Sequence, residues 1–135
     1  MARIQLRLYV NPGEVEVFVN IRQKTGDDYP TMAKIDTGAA ISLLPEKLMP
    51  QLDYELVGSG TIELEQAGIA QQSFKAVEAR VTLSFQDELG NQTVPRTAVV
   101  WFADTHILLI GFRDLLEHAI LHVDMPHRDG WIEID

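Results

Sequence analysis

Ala33-Lys34-Ile35-Asp36-Thr37-Gly38-Ala39-Ala40-Ile41-Ser42-Leu43-Leu44 sets one carboxylate between a strand-like approach and a turn of small residues. A charge in such surroundings is costly unless hydrogen bonds or a partner compensate it. Gly38 lets the backbone come close and Thr37 offers a hydroxyl to hold neighbouring main chain, so the local chemistry suits a presented and supported acid. The same residues also fit a plainer reading in which Asp36 only opens an Asx turn. Upstream, residues 31–35 alternate polar and apolar as a strand with one buried face does. Downstream, residues 41–44 form a short apolar run whose type the period alone does not decide. Pro45-Glu46-Lys47-Leu48-Met49 then suits one helical turn with proline at its start, closed by Pro50.

Further out, strand signals dominate. Residues 15–21 carry Val or Ile at alternate positions, and with residues 4–10 and the Asn11-Pro12-Gly13 breaker they predict a hairpin. Residues 24–30 are polar and turn-rich and predict a loop. Residues 61–65 and 77–83 alternate cleanly around Gln66-Ala67-Gly68-Ile69, which predicts a long hairpin. After a turn at residues 87–92, residues 97–102 and 107–110 are β-prone. A helix is expected only after Gly111, where Leu115, Leu116 and Ala119 recur at helical spacing with Asp114 in the first half. The tail returns to strand character at residues 120–123 and 131–134, joined by a polar turn at 126–130. No repeat, linker or low-complexity tract interrupts this pattern.

The length of 135 residues fits one domain with a real core. With no cysteine, disulfide frameworks, thiolate metal sites and cysteine nucleophiles are excluded. The N-terminus alternates instead of carrying a continuous apolar segment, and no stretch approaches membrane-spanning length, so a soluble, cytoplasmic protein without membrane contact is expected. A net charge of -9 and eleven scattered Lys and Arg argue against nucleic acid as a partner.

An apolar residue, Asp36-Thr37-Gly38-Ala39, and then a serine followed by two apolar residues resembles the active-site loop of retroviral proteases and their bacterial and cellular relatives, the retropepsin-like aspartic proteases. A second family feature, apolar residues, a glycine and a short leucine-bearing helix, is matched by Ile107-Leu108-Leu109-Ile110-Gly111-Phe112-Arg113-Asp114-Leu115-Leu116-Glu117-His118. Residues 60–83 resemble the flap hairpin of the family, with its tip at 66–69 and Gly58-Ser59-Gly60 as a second candidate tip. Residues 131–134 resemble its closing strand. The resemblance covers about residues 31–135 and implies that residues 1–135 form a single all-β, retropepsin-like half-barrel with a flap hairpin and one short C-terminal helix, active as a symmetric homodimer.

The same resemblance implies an aspartic endopeptidase. Peptide hydrolysis by this route needs two carboxylates sharing a proton, and a C2 homodimer supplies the second Asp36 by symmetry. Thr37 would hydrogen-bond across the two-fold axis, and the Gly38 backbone would bind substrate main chain beside Ala39 and Ala40. From the flap, Ala67, Gly68 and Ile69 would close over the substrate, while Ile110 and Gly111 support the active loop. Neither cofactor nor metal is implied. The partners are a second copy of the chain, joined through residues 131–134, and a peptide or protein substrate. Two departures stand out: Ala40 replaces the acid usual in retroviral enzymes, and Phe112 replaces the arginine usual after the glycine.

Other constellations are weaker. His118, His122 and Asp124 could present metal ligands if the helix reached that far, but the chain lacks the His-Glu-x-x-His pattern. There is no Gly-x-Ser-x-Gly elbow, and Ser42 lies within an apolar run. Trp101 and Trp131 suit core or dimer-interface positions. The competing function is a catalytically silent module of the same fold that dimerises or binds peptides.

Overall fold

The computed structural model describes residues 2–65 and 73–134, so the expected hairpin tip with Ala67, Gly68 and Ile69 lies outside the described residues. β3 (Gly13–Arg22) shows why the chain is β-rich: Val17, Val19 and Ile21 are buried at every second position, and its other face is polar or half-exposed. It pairs antiparallel with β2 (Arg7–Val10), as the hairpin reading expects, and with β4 (Asp28–Ile35). The expected strand over residues 4–10 divides at Leu6, whose N–H donates to the Gly130 carbonyl at 2.9 Å. β1 (Arg3–Gln5) thereby joins β11 (Asp129–Ile134) instead. The loop expected over residues 24–30 is shorter, because Gln23 N–H bonds the Asp27 carbonyl at 2.8 Å and β4 begins at Asp28.

Next come β5 (Ser42–Pro45) and a single 3-10 turn at Glu46–Leu48, placed where Pro45 predicts it. β6 (Tyr54–Glu65) and β7 (Ser73–Gln86) form the long hairpin, followed by β8 (Arg96–Ala103), β9 (Leu109–Ile110) and β10 (Ala119–Asp124). Gly58-Ser59-Gly60 is not a hairpin tip. It lies within β6, where positive φ at Gly58 (59°) and Gly60 (81°) shifts the register, so that Leu56 faces Ala79 but Thr61 faces Val77.

The larger sheet runs β2-β3-β4-β9-β5-β8-β7-β6, and β3 also pairs with β7, which closes the strands between them into a ring. Phe85, Phe102, Leu44, Ile110 and Leu115 fill the interior, fully buried. The smaller sheet runs β1-β11-β10, with Ile4 and Ile132 buried against the same core. Because β11 lies in the middle, both its edges are occupied within the chain. The outer strands of this sheet are β1 and β10, and Ile120 is exposed on β10.

The helix expected after Gly111 shrinks to one 3-10 turn at Leu116–His118. Asp114 adopts a left-handed φ of 63°, and Ala119 is already extended as the first residue of β10. Leu115 and Leu116 are buried, but Ala119, expected on the same helical face, is half-buried in β10. Among the described residues no helix is long and apolar enough to cross a membrane.

Candidate active site

Asp36 leaves the end of β4, and the segment that holds it comes from far along the chain. β9 runs parallel to β4 and antiparallel to β5, filling the gap between them. Lys34 N–H donates to the Leu108 carbonyl at 2.9 Å and Asp36 N–H to the Ile110 carbonyl at 3.0 Å, fixing the approach to the turn. Within the turn, Ala39 N–H bonds the Asp36 carbonyl at 3.1 Å. Gly38 N–H donates to Asp36 Oδ1 at 2.9 Å, so the Asx turn and the presented acid are one geometry. Asp36 Oδ2 makes no hydrogen bond among the described residues. Asp36 is half-buried, whereas Thr37, Gly38 and Ala40 are exposed.

Gly111 seats the far side of the turn. A Cβ there would lie 2.7 Å from the Ala39 carbonyl oxygen and 2.8 Å from the Ile41 carbonyl carbon and oxygen, so only glycine allows the two backbones this close. Its N–H donates to Ser42 Oγ at 2.8 Å in a buried setting. The next two residues continue the clamp, with Phe112 N–H on the Ala39 carbonyl and Arg113 N–H on the Ala40 carbonyl, both at 2.9 Å. The structure thus brings together Asp36, Thr37, Gly38, Ala39, Ala40, Ile110 and Gly111. Ala67, Gly68 and Ile69 lie outside the described residues.

Two supporting residues carry roles that sequence reasoning did not assign. Ser42 is fully buried, and its hydroxyl gives the Gly111 N–H a partner; a lone hydroxyl in an apolar run was the available signal. Asp114 accepts from the Val99 N–H at 2.9 Å, while its own N–H donates to Glu117 Oε1 at 2.6 Å, and so ties the turn after Gly111 to β8. The Arg113 side chain is exposed and pairs with no acid among the described residues.

Beside the acid, Lys34 Nζ meets Glu14 Oε1 at 2.7 Å. The Glu14 hydrogen bond is the largest influence on the ammonium and outweighs desolvation. With the nearby charges of Glu14 and Glu16 it raises the Lys34 pKa above the ordinary lysine value.

His118, His122 and His127 are engaged elsewhere. His122 stacks on Trp131 with centroids 5.2 Å apart, Arg3 covers the same indole at 3.8 Å, and His118 lies 3.5 Å from Glu117. Trp101 donates from Nε1 to Glu78 at 2.8 Å. Among the described residues no group of three or more His, Asp or Glu is placed to hold a metal ion.

No protein-family model matches the chain, and no curated protein sequence does. A crystal structure of a retropepsin-like aspartic protease from Rickettsia conorii aligns with 96% of this chain and 88% of that one, with a TM-score of 0.51 at 19% identity. The fold is therefore retropepsin-like. At that identity the likeness is one of fold, and the chemistry rests on the residues of the turn.

Proposed function

We propose that the chain is an aspartic endopeptidase in which water is activated between two Asp36 carboxylates, one from each subunit of a symmetric homodimer. The observation that carries this reading is the Asp36 turn itself: one carboxylate oxygen is oriented by Gly38 N–H, the other is unengaged, and the whole turn is clamped by β9 and Gly111. A binding module has no chemical demand for a carboxylate so held. In the dimer one Asp36 takes the proton of the attacking water while the other protonates the carbonyl oxygen, and no cofactor is needed.

A single chain supplies one such acid, so the site is complete only when a second copy docks. The Thr37 hydroxyl is exposed and makes no hydrogen bond among the described residues, which leaves it available across a two-fold axis. Since both edges of β11 are occupied, a seam through this sheet would use an outer strand, β1 or β10; the Gln5 N–H of β1 is already given to Asp87 and Ile120 and Val123 are exposed on β10, which favours the β10 edge, joining two three-stranded sheets into one. The β6–β7 hairpin is the flap, closing over a peptide substrate.

Asp36→Asn is expected to fold and dimerise as the parent does while losing hydrolysis by about 10²–10⁴-fold or more, because the amide cannot take the proton of the water. The measurement is turnover of a mixed peptide library with and without a transition-state mimic. Turnover by purified Asp36→Asn at the parental rate would refute the assignment, and a parent protein that binds peptides without cutting them would make the fold a silent binding module.

A further inference from the structure

Alternation along β4 puts Lys34 and Asp36 on one face of the strand, opposite to buried Ala33, and the cross-strand partners of Lys34 are Glu16 on β3 and Leu109 on β9. An open cavity of about 420 Å³ lies on this side, and its lining includes Glu14, Lys34, Asp36, Leu109, Val123 and Met125. The candidate acid, a salt-bridged Lys–Glu pair and an apolar wall thus share one recess. Because Asp36 is itself part of the lining, a side chain flanking a bond held there can enter it.

Four kinds of side chain can be weighed against that lining. An aliphatic side chain would cover the Lys34–Glu14 pair and strip water from two charges without replacing its hydrogen bonds. An anionic side chain would face Glu14 and Asp36, with Glu16 on the neighbouring strand, and one ammonium to offset them; a cationic one would be drawn by the same carboxylates but would have to displace the Lys34 ammonium from Glu14. A side-chain amide avoids both costs. Its N–H₂ can donate to Glu14, its carbonyl can accept from the spare N–H groups of Lys34, and its methylenes can lie on Leu109, Val123 and Met125.

We infer that the recess formed by Glu14, Lys34 and Leu109 is a specificity subsite that selects glutamine or asparagine next to the scissile bond. This rests on the endopeptidase reading of Asp36 and adds to it a substrate class. Lys34 and Glu14 are binding residues; the proton transfers remain with Asp36.

The test compares kcat/KM on a peptide series that varies only the residues flanking the cleaved bond, for the parent, for Lys34→Met with Glu14→Leu, and for the charge-exchanged pair Lys34→Glu with Glu14→Lys. The parent should favour Gln or Asn over Leu at one flanking position. The apolar pair should lose that preference by about tenfold or more, the range of hydrogen bonds to charged groups. The charge-exchanged pair should keep it, since donor and acceptor are both still present. A parent that prefers aliphatic or basic residues at both flanking positions overturns the inference even if the apolar pair fails to fold, and so does an unchanged profile in a folded apolar pair. Both results leave the protease reading intact. A parent that cuts no peptide while dimeric overturns the protease reading, and this inference with it.

Discussion

Replacing Gly111 by alanine would put a methyl carbon 2.7 Å from the Ala39 carbonyl oxygen, against backbone on both sides, so no side-chain rotation relieves the clash. Gly111→Ala should therefore cost about 1–3 kcal/mol or more in a denaturant titration and displace the Asp36 turn, lowering kcat beyond what the stability loss explains. Ser42→Ala makes a subtler version of the same cut. It leaves the buried Gly111 N–H without its acceptor at an expected cost of about 1–3 kcal/mol, whereas Ser42→Thr keeps the oxygen and should retain activity if the extra methyl fits. A stability of Ser42→Ala equal to the parent would show that water replaces the hydroxyl. The placing of Asp36 and Thr37 in a small-residue turn was legible from residue type, a carboxylate after an apolar strand, and that of Gly111 from the family resemblance, whereas at Gly38 an added Cβ would meet no other segment but only Asp36 Oδ1, at 3.2 Å. Ser42 and Asp114 were not legible, because each role exists only once a distant segment has docked, Gly111 on one and Val99 on the other.

Among the elements, the turn between β7 and β8 depends most on a single charge. Asp87 accepts the N–H groups of Leu89 and Asn91 through one oxygen at 3.0 Å, and through the other the Gln5 N–H at 2.9 Å and the Asn91 side chain at 3.0 Å. Burial alone would raise the pKa of this carboxyl, but these donors outweigh it and hold the group below the ordinary carboxylate range. A depressed folded pKa means that its contribution is present above the unfolded value of about 4 and is lost as pH falls through the lower folded value. Asp87→Asn should thus be less stable than the parent at neutral pH, and the gap should narrow in strong acid; a gap constant with pH would show that the charge is not what matters. Strands such as β3 were legible since one buried face imposes period two on the sequence. The helix after Gly111 misled because Leu115, Leu116 and Ala119 have helical spacing, yet Asp114 takes a left-handed turn to reach the Val99 N–H and Ala119 is drawn into β10. Tertiary pairing overrode a weak local period.

For the whole molecule the decisive quantity is concentration. If the site is shared, specific activity should fall on dilution, and the amides of residues 119–124 that face away from β11 should gain hydrogen-exchange protection as the protein is concentrated. Sedimentation as a monomer at concentrations that still cleave would remove the shared site; protection gained elsewhere would move the seam. That residues 131–134 form a strand was legible, but their central place was not, because the division of the N-terminal segment at Leu6 sends β1 to the edge of β11. The same threading has a consequence in time. The strand beside Asp36 is residues 109–110, and β1 finds its partner only at residues 129–134, so these contacts span most of the chain and local structure cannot form them early. During synthesis from the N-terminus, the acid leaves the ribosome long before the glycine that seats its turn. A nascent chain, or one truncated before Gly111, holds Asp36 without its cradle, so under the proposed function such a chain should cut no peptide until Gly111 has been made and has docked.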